Sequence, residues 1–396
     1  MAHNHAPSGV APTPVPIARW ITTAVVVIAV ATMVGLVLLW PSGSDRGFSD
    51  DLGLGSQRFD ATVTGTQLVT CAGATDIECI RVDVNFDDGD RPPGSFELTV
   101  GGTSPDISVG DGVVLFDDGR GGYVFADFQR TTPLVVLTVL FIGAVLLLGR
   151  LRGLGALAGL IASIGVLTVF LLPAINQGSS PLAVSLVAAS VVAFTALYLA
   201  HGPSVRTSVA LLGTLASLLI TALLALVFVA ASSITGLADE TVLALQTLVG
   251  QFDVRGLLLA GIIIGSLGVL DDVTVTQVSA VWELRRARPA ASPRTLYRAA
   301  LRIGRDHISS TVNTLVLAYA GASLPLLLLF TQAGRSVGDL ATSEIVAIEI
   351  IRALVGSIGL IISVPLTTGL AVLVATAPTR PRAASRLNPT DEHTDS

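Results

Sequence analysis

Long apolar runs limit what this chain can become more than any other feature. About twenty consecutive apolar residues span the hydrocarbon core of a bilayer as a helix. Seven such runs lie at Ile21–Trp40, Pro133–Gly149, Leu154–Leu172, Leu182–Ala200, Ser208–Ala231, Ile308–Phe330 and Ile350–Ala375, and an eighth extends from Gly256 to Trp282. With 51% hydrophobic and only 13% charged residues in 396, the composition is that of a multi-pass membrane protein. The expected fold is mainly α: an eight-span transmembrane helix bundle with a small extracytoplasmic β-barrel or sandwich between spans 1 and 2. In chain order this gives a disordered cytoplasmic tail over 1–18, a first transmembrane helix over 19–40, the β domain over 41–132, a seven-helix bundle over 133–376 and a disordered tail over 377–396.

The basic residues orient these spans. The chain has no lysine, so arginine carries all of its fixed positive charge. With the N-terminus inside, cytoplasmic segments hold Arg19, Arg150, Arg152, Arg206, seven arginines from Arg285 to Arg305, and Arg380, Arg382 and Arg386. The short outer loops hold Arg255, Arg335 and Arg352. Fourteen against three is a positive-inside pattern, which places both termini in the cytoplasm. The first run could be a signal peptide. It is longer than a usual apolar signal region, and no Ala-x-Ala site follows Trp40-Pro41-Ser42, so a retained anchor is expected.

Residues 41–132 are acidic, with sixteen Asp and Glu against six Arg. Alternating stretches at Phe59–Val69, Cys79–Phe86, Ser95–Val100, Val113–Phe116 and Gly122–Phe128 predict strands. Turn signals of the Asp-Gly type separate them, at Asp87-Asp88-Gly89-Asp90, Asp111-Gly112 and Asp117-Asp118-Gly119. These acids lack the spacing of a Ca²⁺ loop, so hairpin turns are the better reading. Cys71 and Cys79 are the only cysteines. An even count in an oxidising compartment predicts a disulfide between them. Between the fifth and sixth spans, Val242, Leu245, Val249 and Phe252 predict an interfacial amphipathic helix over 239–253.

The eighth-listed run carries the chemistry. Asp271 and Asp272 sit within it, eleven residues before Trp282, roughly 16 Å at ~1.5 Å per residue. That is near the bilayer midplane, where carboxylates are costly and serve function. Gly261, Gly265, Gly268, Asp272, Thr276, Ser279 and Glu283 recur every three or four residues and share one helix face. Small residues admit a neighbouring helix, so this face is expected to point into the protein, with Asp271 and Gln277 off to its sides. In the next span Ser310, Asn313 and Thr314 share a face with Gly321; Asp306 is expected to cap that helix and His307 to be solvated at the interface. In the last span Glu349, Arg352, Gly356, Gly359, Ser363 and Thr367 form a stripe, with Glu349 and Arg352 spaced to pair as an outer gate. Pro365 is expected to kink it. Together the last three spans predict a polar core around Asp272 to which Thr274, Thr276 and Gln277 also contribute. The charge-free spans from 133 to 231 read as scaffold or lipid-facing wall.

Several of these segments resemble the YibE/F family of bacterial membrane proteins: Gly268-Val-Leu-Asp-Asp-Val-Thr-Val-Thr-Gln277, Trp282-Glu283-Leu284, Ser310-Thr-Val-Asn-Thr-Leu315, Ala318-Tyr-Ala-Gly-Ala-Ser-Leu-Pro325 and Leu354-Val-Gly-Ser-Ile-Gly359. The resemblance covers most of 58–377 and is densest after 255. It implies a multi-pass plasma-membrane protein with an outer β domain, and it supplies no substrate. More distantly, the order and orientation of the last three spans are similar to those of proton-driven Sec auxiliary subunits and RND exporters. This chain departs from them by an extra hairpin before the Asp span and a smaller outer domain.

The leading functional reading is a proton- or cation-coupled transporter or exporter, with the Asp pair as ion site. A divalent-cation carrier using Asp271, Asp272, Thr276 and Asn313 is a variant. A non-transporting scaffold that binds a partner through its outer domain is the reading from another class. An intramembrane aspartyl hydrolase fits least. Adjacent residues on one helix diverge by about 100°, and no other span holds a central acid, so the chain is not expected to be an enzyme. No cofactor is expected beyond the coupling ion. The expected partners are the lipid bilayer, an unidentified transported substrate and a second copy or another membrane protein, with no nucleic acid.

Overall fold

The computed structural model describes residues 15–42, 58–71, 77–89, 91–101, 104–119, 122–237, 253–332 and 336–377. The helix expected over 239–253 and nearly all of both expected tails lie outside the described residues. The chain divides into two units, Ser44–Arg150 and the remainder, Met1–Gly43 with Leu151–Ser396.

The first unit holds an antiparallel sheet of β1 (Arg58–Thr70), β2 (Glu78–Phe86), β3 (Gly94–Thr99), β4 (Gly112–Asp117) and β5 (Tyr123–Phe128) in the order β3-β2-β1-β4-β5. All five expected strands form, because alternation turns one set of side chains to a common core. In β2 that set is Val82, Val84 and Phe86, with Ile80 partly buried beside them. It packs with Phe59, Ala61 and Val63 of β1, Phe96 of β3, and Val113 and Leu115 of β4. A bulge between Val63 and Gly65 bends β1 where it passes between β2 and β4. The edge strands β3 and β5 meet through the stacked rings of Phe96 and Phe125. A five-stranded curled sheet is therefore the observed architecture of this unit.

Gly89 and Gly119 take positive φ in the expected Asp-Gly turns. The turn acids there serve the backbone: Asp117 accepts from the Gly119 N–H at 2.7 Å and Asp118 from the Gly122 N–H at 2.8 Å. A Cys71–Cys79 disulfide joins the end of β1 to the start of β2. Just after β5, the Arg130 guanidinium donates to Asp127 and holds its carboxyl below the usual carboxylate range. Both side chains are exposed there, so water screens the pair.

A helix, α2 (Thr131–Gly165), follows, broken at Arg150 by a non-helical backbone with φ 51°. That break falls between two expected spans. Beyond it come a π-helical turn (Val166–Leu171) and α3 (Leu172–Asn176).

The second unit also contains α1 (Val15–Leu38), α4 (Pro181–His201), α5 (Val205–Ala231), α6 (Val254–Ala287), α7 (Pro293–Ala322), α8 (Leu324–Gln332), α9 (Val337–Thr342) and α10 (Glu344–Ala375). Six stretches among the described residues are long and apolar enough to cross a membrane: Ile17–Leu38, Thr131–Asn176, Pro181–His201, Val205–Ala231, Val254–Ala287 and Glu344–Ala375. The second is 46 residues long, enough for two crossings at ~20 residues each. The span expected at Ile308–Phe330 is instead divided between α7 and α8 at Ser323. Pro325 lacks an N–H and is accommodated in the first turn of a new helix rather than inside an old one. Upstream, α7 begins well before the expected span, where Ser292 caps it through the Thr295 N–H at 3.2 Å and Pro293 occupies its first turn. Asp306 is therefore mid-helix and caps nothing. By contrast α10 runs as one helix through Pro365.

Helix α6 is central, packing on α4, α5, α7 and α10. Its apolar side meets Ala189, Ala193 and Leu197 of α4 and Leu211 and Leu218 of α5. At the other end Val278, Val281 and Trp282 pack with Leu296 and Ala300 of α7. Close approach depends on missing side chains. A Cβ on Gly359 would overlap the Thr221 hydroxyl, and one on Gly155 would overlap the Leu199 carbonyl.

Candidate functional site

Two polar faces run along α6, and they differ. The first faces the interior. Ser266, Thr274 and Gln277 are buried, as are Thr214, Ser217 and Thr221 of α5 and Ser357, Ser363, Thr367 and Thr368 of α10. Thr274 and Thr214 share a hydroxyl–hydroxyl hydrogen bond of 2.6 Å, and Thr274 also donates to the Asp271 carbonyl at 3.0 Å. Gln277 donates to the Ala300 carbonyl of α7 at 2.8 Å. Gly356 packs near Ser266 and Leu315, and Gly359 against Thr221. Thr214, Thr221, Ser363 and Thr368 donate to carbonyls of their own helices, and Thr214–Thr274 links two helices. Ser217, Ser357 and Thr367, by contrast, have no hydrogen-bond partner among the described residues. The small side chains let the helices pack closely. Thus Thr274, Gln277, Gly356 and Gly359 are packing residues of a seam formed by α5, α6 and α10. This corrects the expectation of a polar core made by the last three spans, and of the two expectations for α5, scaffold or lipid-facing wall, it is the scaffold that fits.

The second face is open. Gly261, Gly265, Gly268, Asp272, Thr276, Ser279 and Glu283 are all exposed. No atom lies within 4 Å of the Cβ position at Gly261 or Gly268, and at Gly265 the nearest is the Tyr319 hydroxyl at 3.1 Å. The Asp272 side chain is 73% exposed. The expectation that it points inward is therefore corrected. The hydroxyl seam occupies the inward side, and among the described residues the glycine stripe meets α7 only at Gly265, through the Tyr319 hydroxyl. Asp271 is the more enclosed of the pair, with its Oδ1 buried and without a hydrogen-bond partner among the described residues.

The chain brings one titratable group to Asp272. His307 Nε2 of α7 lies 3.9 Å from Asp272 Oδ2. Sequence reasoning placed His307 apart, in interfacial water. A signal was available, because Asp272 and His307 lie almost equally far from the turn near residue 290 and antiparallel helices pair such positions. Ser310, Asn313 and Thr314, on the same helix, are exposed. Thr314 donates to the Ser310 carbonyl at 3.1 Å, and none of the three hydrogen-bonds to an α6 carboxylate among the described residues. Nor does any group of three or more His, Cys, Asp or Glu there stand close enough to hold a metal ion.

Farther along, Glu349 and Arg352 of α10 approach to 3.5 Å, and the guanidinium carbon lies 6.0 Å from the Tyr319 ring centroid. Glu349 and Tyr319 line a cavity of about 160 Å³ with Val316, Leu326, Leu327 and Ile350. The pair is thus tied to α7 but remote from Asp272.

Helices of this length and apolarity, one of them bearing a carboxylate pair with an imidazole beside it, define a multi-pass membrane protein. A family model described as YibE/F-like protein matches residues 137–377, and the chain belongs to this family. Among curated proteins and solved structures, nothing matches it.

Proposed function

We propose that this chain is a proton- or cation-coupled transporter of the bacterial plasma membrane, not an enzyme. In this reading it crosses eight times with both termini inside and holds its sheet unit outside. The observation that carries the proposal is the approach of Asp272 and His307 on an open polar helix face. A carboxylate and an imidazole are both side chains that can carry a proton. At 3.9 Å they are too far apart for a direct hydrogen bond, yet one water or a small side-chain rotation links them. Such pairs within membrane helices mark ion paths. The exposed Thr276, Ser279, Ser310 and Thr314 supply hydroxyls that lead toward the pair from both helices. Asp271 stands enclosed beside it.

The test uses the full chain in proteoliposomes with a trapped pH dye. An imposed pH gradient should collapse faster than in protein-free vesicles, or should drive flux of a tested cation. Flux of neither protons nor any tested mono- or divalent cation would overturn the proposal.

A further inference from the structure

The first four turns of α7 carry Arg294, Arg298, Arg302 and Arg305, spaced four, four and three. At 3.6 residues per turn, the four fall within an arc of about 80°. Leu296, Ala300 and Gly304 are buried on the opposite side. Gln277 grips the Ala300 carbonyl there, and the Cβ position of Gly304 meets Val364 and Gln277. The arginines are consequently turned away from the bundle, and all four are exposed. None makes an ion pair or a side-chain hydrogen bond among the described residues, and the exposed Asp306 beside them pairs with none of them.

Depth identifies the occupant. Leu296 and Ala300 pack in one cluster with Val278, Val281 and Trp282. The arginine ridge therefore lies beside the end of α6, where Trp282 and Arg285 mark the membrane interface. From Arg294 to Arg305 the ridge rises about 16 Å at ~1.5 Å per residue. Arg294 and Arg298 lie at the level of Trp282, and the long stem of Arg302 reaches back toward the headgroups, while Arg305 sits deepest, two residues from His307. Guanidinium binds phosphate with two parallel hydrogen bonds. Topology alone asks for basic residues on this side of the membrane. It does not ask that they align on one face and pair with no carboxylate among the described residues.

We propose that this ridge binds the phosphate headgroups of anionic phospholipids in the leaflet that meets Trp282, anchoring α7 beside α6. The proposal does not depend on transport.

The test is native mass spectrometry of the full chain in mild detergent, titrated with phosphatidylglycerol or with phosphatidylcholine of the same acyl chains. The wild type should retain phosphatidylglycerol in preference to phosphatidylcholine, and added salt should weaken that preference. Each arginine exchanged for glutamine should lower it by about fivefold, so that R298Q/R302Q loses most of it. A variant with all four arginines changed to lysine keeps the charge, protects folding and should keep part of the preference. Equal retention of the two lipids by the wild type would overturn the proposal. So would a preference unmoved by salt or by R298Q/R302Q, or displacement of phosphatidylglycerol by inorganic phosphate as effective as by the lipid itself.

Discussion

The two polar sides of α6 make opposite use of similar residues. The inner side offers Ser266, Thr274 and Gln277 to α5, α7 and α10, and all three are buried. Its groups are neutral and close-packed, and Thr274 and Gln277 bond to named partners. The outer side offers glycines, Thr276 and Ser279 around an exposed carboxylate whose nearest partner is an imidazole 3.9 Å away. Hydroxyls that bond locally can be buried among helices at little cost. A carboxylate in a membrane cannot be left to lipid. The inner side is therefore a structural device, and in the proposed function the outer side is where protons or ions are handled.

The sharpest way to break this contrast is steric. Gly359→Leu drives a side chain into Thr221 across α5 and α10. Overpacking of this kind costs roughly 1–3 kcal/mol, and more where the backbone cannot yield. The folded yield in detergent and the thermal midpoint should both fall steeply. A variant that purifies and melts like the wild type would dissolve the claim that the seam is tightly closed.

A smaller effect is expected from the Thr214–Thr274 bond. Thr214→Val, Thr274→Val and the double variant form a cycle, and reversible unfolding should return a coupling of about 0.6 kcal/mol, the average for hydrogen bonds between membrane helices. Additive losses would mean that the 2.6 Å contact contributes no stability. Least of all should happen at Gly268→Leu, where nothing lies within 4 Å of the new Cβ. Stability of the isolated chain should change by less than about 0.5 kcal/mol. Loss comparable to that of Gly359→Leu would show the outer face to be a packing surface after all.

Much of the architecture was legible in the sequence. Strand alternation gave all five strands within a residue or two, because period-2 patterns leave little freedom over which side is buried. The disulfide followed from the cysteine count and the short separation. The facing of α6 did not follow. Helical spacing groups residues into faces, yet both faces of this helix carry small or polar side chains, and only a neighbouring helix decides between them. That neighbour announced itself in α5, where Thr214, Ser217 and Thr221 repeat at helical spacing, but the absence of charge there left scaffold and lipid-facing wall both open. His307 was hidden for a related reason. The arginines from Arg285 to Arg305 suggested an aqueous loop, so the Ser292-Pro293 start signal of α7 went unused and the hairpin that carries His307 to Asp272 was not drawn.

The central claim is that Asp272 on the open face handles the coupling ion while the buried seam only supports it. Asp272→Asn tests this most directly, with the proteoliposome gradient assay and thermal stability measured on the same preparation. The amide keeps the size of the side chain and removes its titration. The expected result is a thermal midpoint equal to that of the wild type and gradient-driven flux reduced to that of empty vesicles, with Thr274→Val retaining flux at a slightly lower midpoint. A stable Asp272→Asn protein that still carries the full wild-type flux would contradict the account.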